Sequence, residues 1–232
     1  MMMKKALLFF ILAVGVNSSM LLFSQPYLSE SWFSLGFEYG NYIAEYIDGN
    51  NKEVESVTAT AGINFGGYRF NHGSNFGIFA HGLLSFPVIN YVITNGVGAR
   101  INSGDYILSM QTGLIIGPGF RLALDERLNY QFAIGVSFLG TFISYTKPVA
   151  GKGEALFMDE LWSFGIGGDM GIKFNLTDTV FLSAGGIFTI DFLGYISRDR
   201  PNDSEDYSGW AKEFFMIGAR AYLVIGMNLF WK

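Results

Sequence analysis

From about Trp32 onward, apolar residues alternate with small or polar ones at a period of two. A strand points successive side chains to opposite faces, so this pattern fits extended chain and not helix. The clearest run is Trp162 to Phe174. Trp162, Phe164, Ile166, Met170, Ile172 and Phe174 share one face; Ser163, Gly165, Gly167, Asp169, Gly171 and Lys173 share the other. Phe33, Leu35, Phe37, Tyr39 and Ile43 oppose Ser34, Gly36, Glu38 and Gly40 in the same way. Further runs lie at Val57 to Phe65, Tyr106 to Leu122, Tyr130 to Phe138, Val180 to Phe192 and about Lys212 to Trp231. Phe76 to about Ile93 is less regular, being apolar on both faces in places and containing Pro87.

About eight strands follow, an even number as bacterial single-chain membrane barrels require. Each exceeds the roughly 9–11 residues that cross a bilayer when tilted, so the strands should project beyond the lipid. The connections alternate as well. Short turns fall near Asn71–Asn75, Asp125–Arg127 and Leu176–Thr179; longer links fall near Asp48–Glu53, Thr94–Asp105, Thr146–Asp159 and Ser197–Trp210. Short turns on the periplasmic side and long loops outside are the outer-membrane pattern. The predicted fold is therefore all-β, an eight-stranded antiparallel up-and-down transmembrane β-barrel over residues 25–232.

Periodicity alone does not say which face meets water. A soluble barrel of lipocalin type turns its apolar face inward, and a membrane barrel turns it outward. Three features favour the membrane form. The polar face is rich in Gly, Ser, Ala and Thr, where a water-facing surface would carry Lys and Glu. The closing strand is aromatic-rich, with Trp231 one residue from the terminus, while the 30 glycines suit a crowded interior. Aromatic residues gather towards strand ends, namely Trp32, Phe33, Tyr39, Tyr42, Phe65, Tyr68, Trp162 and Phe174, as interfacial girdles demand.

The N-terminus reads as an address. Lys4 and Lys5 precede an apolar run from Ala6 to Val16, with small residues at Ser18, Ser19 and Ser24. This is the pattern of a signal peptide, here residues 1–24. Charged residues are only 15% of the chain and the net charge is −5 with no basic block, so nucleic acid is not an expected partner. Cysteine is absent, which excludes a lipoprotein anchor, disulfides and thiolate chemistry.

The leader, the eight-strand rhythm and the closing strand together resemble the small outer-membrane barrels of the OmpA/OmpX/OmpW kind. In such barrels the assembly machinery reads a last strand of alternating apolar residues with a terminal aromatic. Leu223, Ile225, Met227, Leu229 and Trp231 match in register, and Lys232 adds one residue past the usual end. The resemblance implies a bacterial outer-membrane location, with outer-membrane lipids and the barrel-assembly machinery as partners. OmpX-like members are closed structural barrels; OmpW-like members are associated with passage of small hydrophobic molecules. The sequence leaves both open, with a small hydrophobic solute as a possible partner of the second.

No catalytic constellation is evident. Nucleophilic chemistry on such barrels usually needs His beside Ser or Asp. Only two histidines occur, His72 in a short turn and His81 on the inward parity of the third strand. No enzyme activity, cofactor or metal is expected. The run Gly165 to Asp169 lies inside an alternating strand, and Lys152 likewise lacks a strand-to-helix switch, so neither reads as a nucleotide loop. The acidic stretch Asp199 to Asp206 lacks calcium-loop spacing and reads as a solvated loop.

The inward charges are more informative. Glu38, Arg121, Asp169, Lys173, Asp191 and Arg220 all fall on the polar face. A lone charge in a confined interior costs on the order of several kcal/mol, so these must be paired or hydrogen-bonded. They are the predicted interior polar network of a largely plugged barrel with a structural or surface-interaction role. Closure brings the first and last strands together, which makes Glu38 the first candidate partner of Arg220, with Asp169 and Asp191 as alternatives. Ser163, read as lying near a strand end on the inward face, should suffer less from a change to Arg than Ile166 or Leu182 on the outward face.

Overall fold

The computed structural model describes residues 29–47, 51, 53–71, 73–94, 97–102, 106–149, 153–199 and 207–231. The expected signal peptide, His72, Lys152 and residues 200–206 of the acidic stretch lie outside the described residues. Among the described residues there are ten strands and no helix: β1 (Ser29–Ile47), β2 (Glu53–Asn71), β3 (Phe76–Thr94), β4 (Val97–Asn102), β5 (Tyr106–Ala123), β6 (Leu128–Val149), β7 (Gly153–Asn175), β8 (Val180–Asp199), β9 (Tyr207–Trp210) and β10 (Glu213–Trp231).

Eight of these are barrel staves in the order β10-β1-β2-β3-β5-β6-β7-β8, and β10 pairs with β8 to close the sheet. The two short strands extend staves: β4 pairs with Ile89 to Thr94 of β3, and β9 with Tyr195 to Arg198 of β8. At the second break the chain changes partners. The Ala211 amide bonds to the Gly194 carbonyl at 2.8 Å, and the Lys212 amide to the Ile47 carbonyl at 2.9 Å. The result is a closed eight-stave antiparallel barrel, as the alternation predicts.

The short turns are closed by local side chains. Asp125 Oδ1 accepts from the amides of Arg127 and Leu128 at 2.7 and 2.6 Å. Thr177 Oγ1 accepts from those of Thr179 and Val180 at 3.2 and 2.9 Å. These are the turn roles for which Asp and Thr are suited. Gly73 supplies the left-handed φ of +71° in the third turn.

At the other end the described residues hold more strand than the sequence suggests. The expected link Thr146–Asp159 is mostly paired strand, with Thr146 opposite Leu156 and Val149 opposite Gly153. Antiparallel neighbours keep adding ladder hydrogen bonds for as long as their register holds. A 19-residue stave at barrel tilt rises roughly 45 Å, against an apolar band about 25 Å tall in such barrels. The barrel therefore projects well past the bilayer.

The apolar parity faces outward. Phe37 is 77% exposed, Val136 64% and Leu223 61%, which is incompatible with a water-soluble lipocalin-type barrel. Above this belt the outward parity turns acidic: Glu45 lies opposite Glu55, and Ile47 lies opposite both Glu53 and Glu213.

Two bulges explain where alternation blurs. In β3, Ala59 pairs with Ile89 and Thr60 with Pro87, leaving Val88 as the extra residue. The parity flips there, so Val88 and Ile89 both face out. In β8, Phe164 pairs with Leu193 and Gly165 with Asp191, leaving Phe192 extra. Phe192 and Leu193 are both exposed for the same reason.

Candidate functional site

The interior is built in layers because inward positions recur every second residue on all eight staves. At the short-turn end the layer is aromatic. Trp32, Phe70, Phe79 and Phe181 are buried together with Tyr68 and Tyr222. Trp32 packs on Phe70 at 4.9 Å between ring centroids, and Tyr68 on Phe79 at 4.9 Å.

This corrects the girdle assignment. Trp32, Tyr42 and Tyr68 lie inside the barrel, at 3%, 2% and 5% exposure. Trp32 and Tyr42 share the parity of Glu38, and Tyr68 that of Asn64. Stave parity decides the face, and a closed barrel needs bulky side chains to fill it. Phe33, Tyr39 and Phe174 do face outward and are exposed.

Two cations lie over these rings. The Lys173 ammonium is 3.6 Å from the Trp32 ring centroid and 4.7 Å from that of Phe181. The Arg121 guanidinium is 4.7 Å from the Phe70 centroid and 5.8 Å from that of Trp32. Aromatic faces attract cations most strongly when both are shielded from water. Trp32 thus serves both cations at once.

The middle layers hold the acids. Asp169 is fully buried and accepts from three neutral donors. The Tyr222 hydroxyl donates to Oδ1 at 2.8 Å, Gln131 Nε2 to Oδ2 at 3.4 Å, and the Tyr68 hydroxyl to Oδ2. Asp191 is also fully buried; Ser163 donates to its Oδ2 at 2.6 Å and Ser137 to its Oδ1. Glu38 is met by a charge, with Arg220 Nη1 3.5 Å from its Oε2. Asn64 Nδ2 donates to the same oxygen at 3.3 Å, and Asn64 Oδ1 lies on His81 Nε2.

Above these, Tyr42, Ala44, Leu83, Leu139 and Met216 form a second apolar cluster with Phe214 packed on it. Of the six predicted charges, the fold brings Glu38 to Arg220 and sets Lys173 and Arg121 over one ring. Asp169 and Asp191 are met instead by hydroxyl and amide donors. Sequence alone does not mark those residues as donors to the acids, because Ser, Tyr and Gln carry no charge. Their shared inward parity was the available signal.

Ser163 differs from expectation. It lies mid-strand, 1% exposed, because β7 begins ten residues before it at Gly153. No group of three or more His, Asp or Glu side chains among the described residues is placed to hold a metal ion.

No protein-family model and no curated protein matches the sequence. Solved structures do. The outer membrane protein OprG from Pseudomonas aeruginosa is similar with a TM-score of 0.54 at 10% identity, over 88% of this chain and 97% of that one. Ail, the attachment invasion locus protein of Yersinia pestis, gives 0.43 at 13% identity, over 87% and 99%. Neisserial surface protein A gives 0.42 at 9% identity, over 85% and 97%. With its closed eight-stave sheet and outward apolar belt, the chain has the fold of the small bacterial outer-membrane β-barrels.

Proposed function

We propose that this outer-membrane barrel is a closed structural barrel that acts through its surface and has no catalytic or transport role. The observation behind this reading is how completely large inward side chains fill the bore. Phe70 and Phe79 are fully buried and Phe181 is 2% exposed in one half; Leu83 and Met216 are 2% exposed in the other. Eight staves leave room for side chains and little else, and between these clusters Arg220 meets Glu38 while hydroxyl and amide donors hold Asp169 and Asp191. Residues 1–24 act as the signal peptide in this reading. The outward Leu223, Ile225 and Met227 of β10 present the strand that the assembly machinery reads, and outer-membrane lipids cover the belt.

Single-channel recording in planar bilayers, with solute uptake into liposomes, tests the proposal. The expected result is no reproducible conductance and no uptake. Steady conductance would overturn it. Uptake of a small hydrophobic solute without ionic conductance would assign the barrel to the OmpW-like transport class instead.

A further inference from the structure

A cavity of about 10 Å³ lies inside the barrel, lined in part by Ser34, Tyr68, His81, Gln131, Ser183 and Tyr222. That is near the smallest volume that takes one water molecule, and such cavities stay dry only when their walls are apolar. These walls carry hydroxyls, an amide and an imidazole.

The imidazole sets the requirement. Glu38 Oε2 accepts from Asn64 Nδ2, which fixes that amide with its oxygen turned to His81. Asn64 Oδ1 can only accept, so His81 Nε2 carries the proton and donates to it. In the neutral ring Nδ1 is then a bare acceptor. His81 is 6% exposed, and Nδ1 makes no hydrogen bond to a described residue. The ring is held edge-on between Phe79 and Tyr222, at centroid distances of 5.4 and 5.6 Å, so it has little room to turn towards another partner.

We propose that this cavity is the seat of one tightly held water molecule that donates to His81 Nδ1 and bonds to the hydroxyl-lined wall beside Tyr222. The water joins two groups that the side chains alone leave apart. On one side is the chain Arg220–Glu38–Asn64–His81, and on the other the Asp169 cage of Tyr68, Tyr222 and Gln131. A continuous polar column then runs between the two apolar clusters. A satisfied column rigidifies a core, whereas a broken one leaves costly buried groups.

The test uses the protein refolded in lipid nanodiscs with ¹⁵N-labelled histidine, the His72 signals being identified with a His72→Gln variant. The expected result is the Nε2–H tautomer at His81 with a slowly exchanging water contact to its ring. A ring with no water contact, or the Nδ1–H tautomer, overturns the proposal. Ser183→Thr adds a methyl group at the cavity wall. It should abolish the water contact and lower the urea midpoint, whereas a raised midpoint, as from filling a dry void, overturns the proposal. The inference rests on the closed-interior reading only for slow exchange. Conductance with fast-exchanging water at His81 would fail that reading; no conductance and no water contact would fail this one.

Discussion

Arg220 on the last stave reaches Glu38 on the first across the closing seam, Nη1 to Oε2 at 3.5 Å. The two are not directly opposite. Glu38 pairs with Tyr222, and Arg220 pairs with Gly40, so the contact runs diagonally. Both side chains are almost wholly out of water, at 3% and 0% exposure for Arg220 and Glu38. Removing one partner strands the other, which is the costly outcome for a buried pair. Glu38→Gln and Arg220→Met should each destabilise the barrel, and the double variant should cost less than the sum. A coupling energy of about 1–3 kcal/mol in a double-mutant cycle of urea unfolding is expected; additive effects would show that the pair does not interact.

Gly40 makes this contact possible. A Cβ there would lie 2.4 Å from Arg220 Cγ and 3.1 Å from the Ala219 carbonyl oxygen. Gly40→Ala should push the arginine off the wall and cost about 1–3 kcal/mol, the usual penalty of overpacking. In an Arg220→Ala background, which lacks the clashing Cγ, the same change should cost less. An equal cost in both backgrounds would place the clash on the backbone and not on the arginine.

The Asp169 cage predicts a different pattern, since its donors are neutral. Tyr68→Phe or Tyr222→Phe removes one hydroxyl from a buried carboxylate and should cost about 1.5–3 kcal/mol, as expected for hydrogen bonds to charged groups. Either change should cost far less when Asp169 is already Asn. Unfolding titrations of the three single and two double variants decide this.

On the outside, the lipid belt can be mapped by charge. Ile166 is 48% exposed midway along the outward face of β7, and Phe174 is 42% exposed at its short-turn end. Ile166→Arg should cost about 2–4 kcal/mol in refolding into bilayers, and Phe174→Arg about 0–1, because the penalty falls towards the interface. Equal penalties would mean that the belt is centred elsewhere.

Much of this was legible in the sequence, because a strand has a period of two and a closed sheet has two distinct sides. Alternation gave the strands and the parity of Glu38, Asp169, Lys173, Asp191 and Arg220, and an even strand count implied a seam between the first and last staves. What tertiary structure alone decided was register. The shear of the closed sheet sets Arg220 opposite Gly40, within reach of Glu38. The extra residues Val88 and Phe192 flip parity along β3 and β8; Pro87, which cannot donate to the ladder, marks the first bulge, but no such residue announces the second. Which neutral donors meet Asp169 was hidden for the same reason. Tyr68, Gln131 and Tyr222 come from three different staves and lie 38 to 101 residues from Asp169. Trp32 shows the limit most plainly. Its chemistry suits a membrane interface, yet its place on the inward parity puts it in the core, because in a closed barrel the side a residue faces is set by its stave and not by its type.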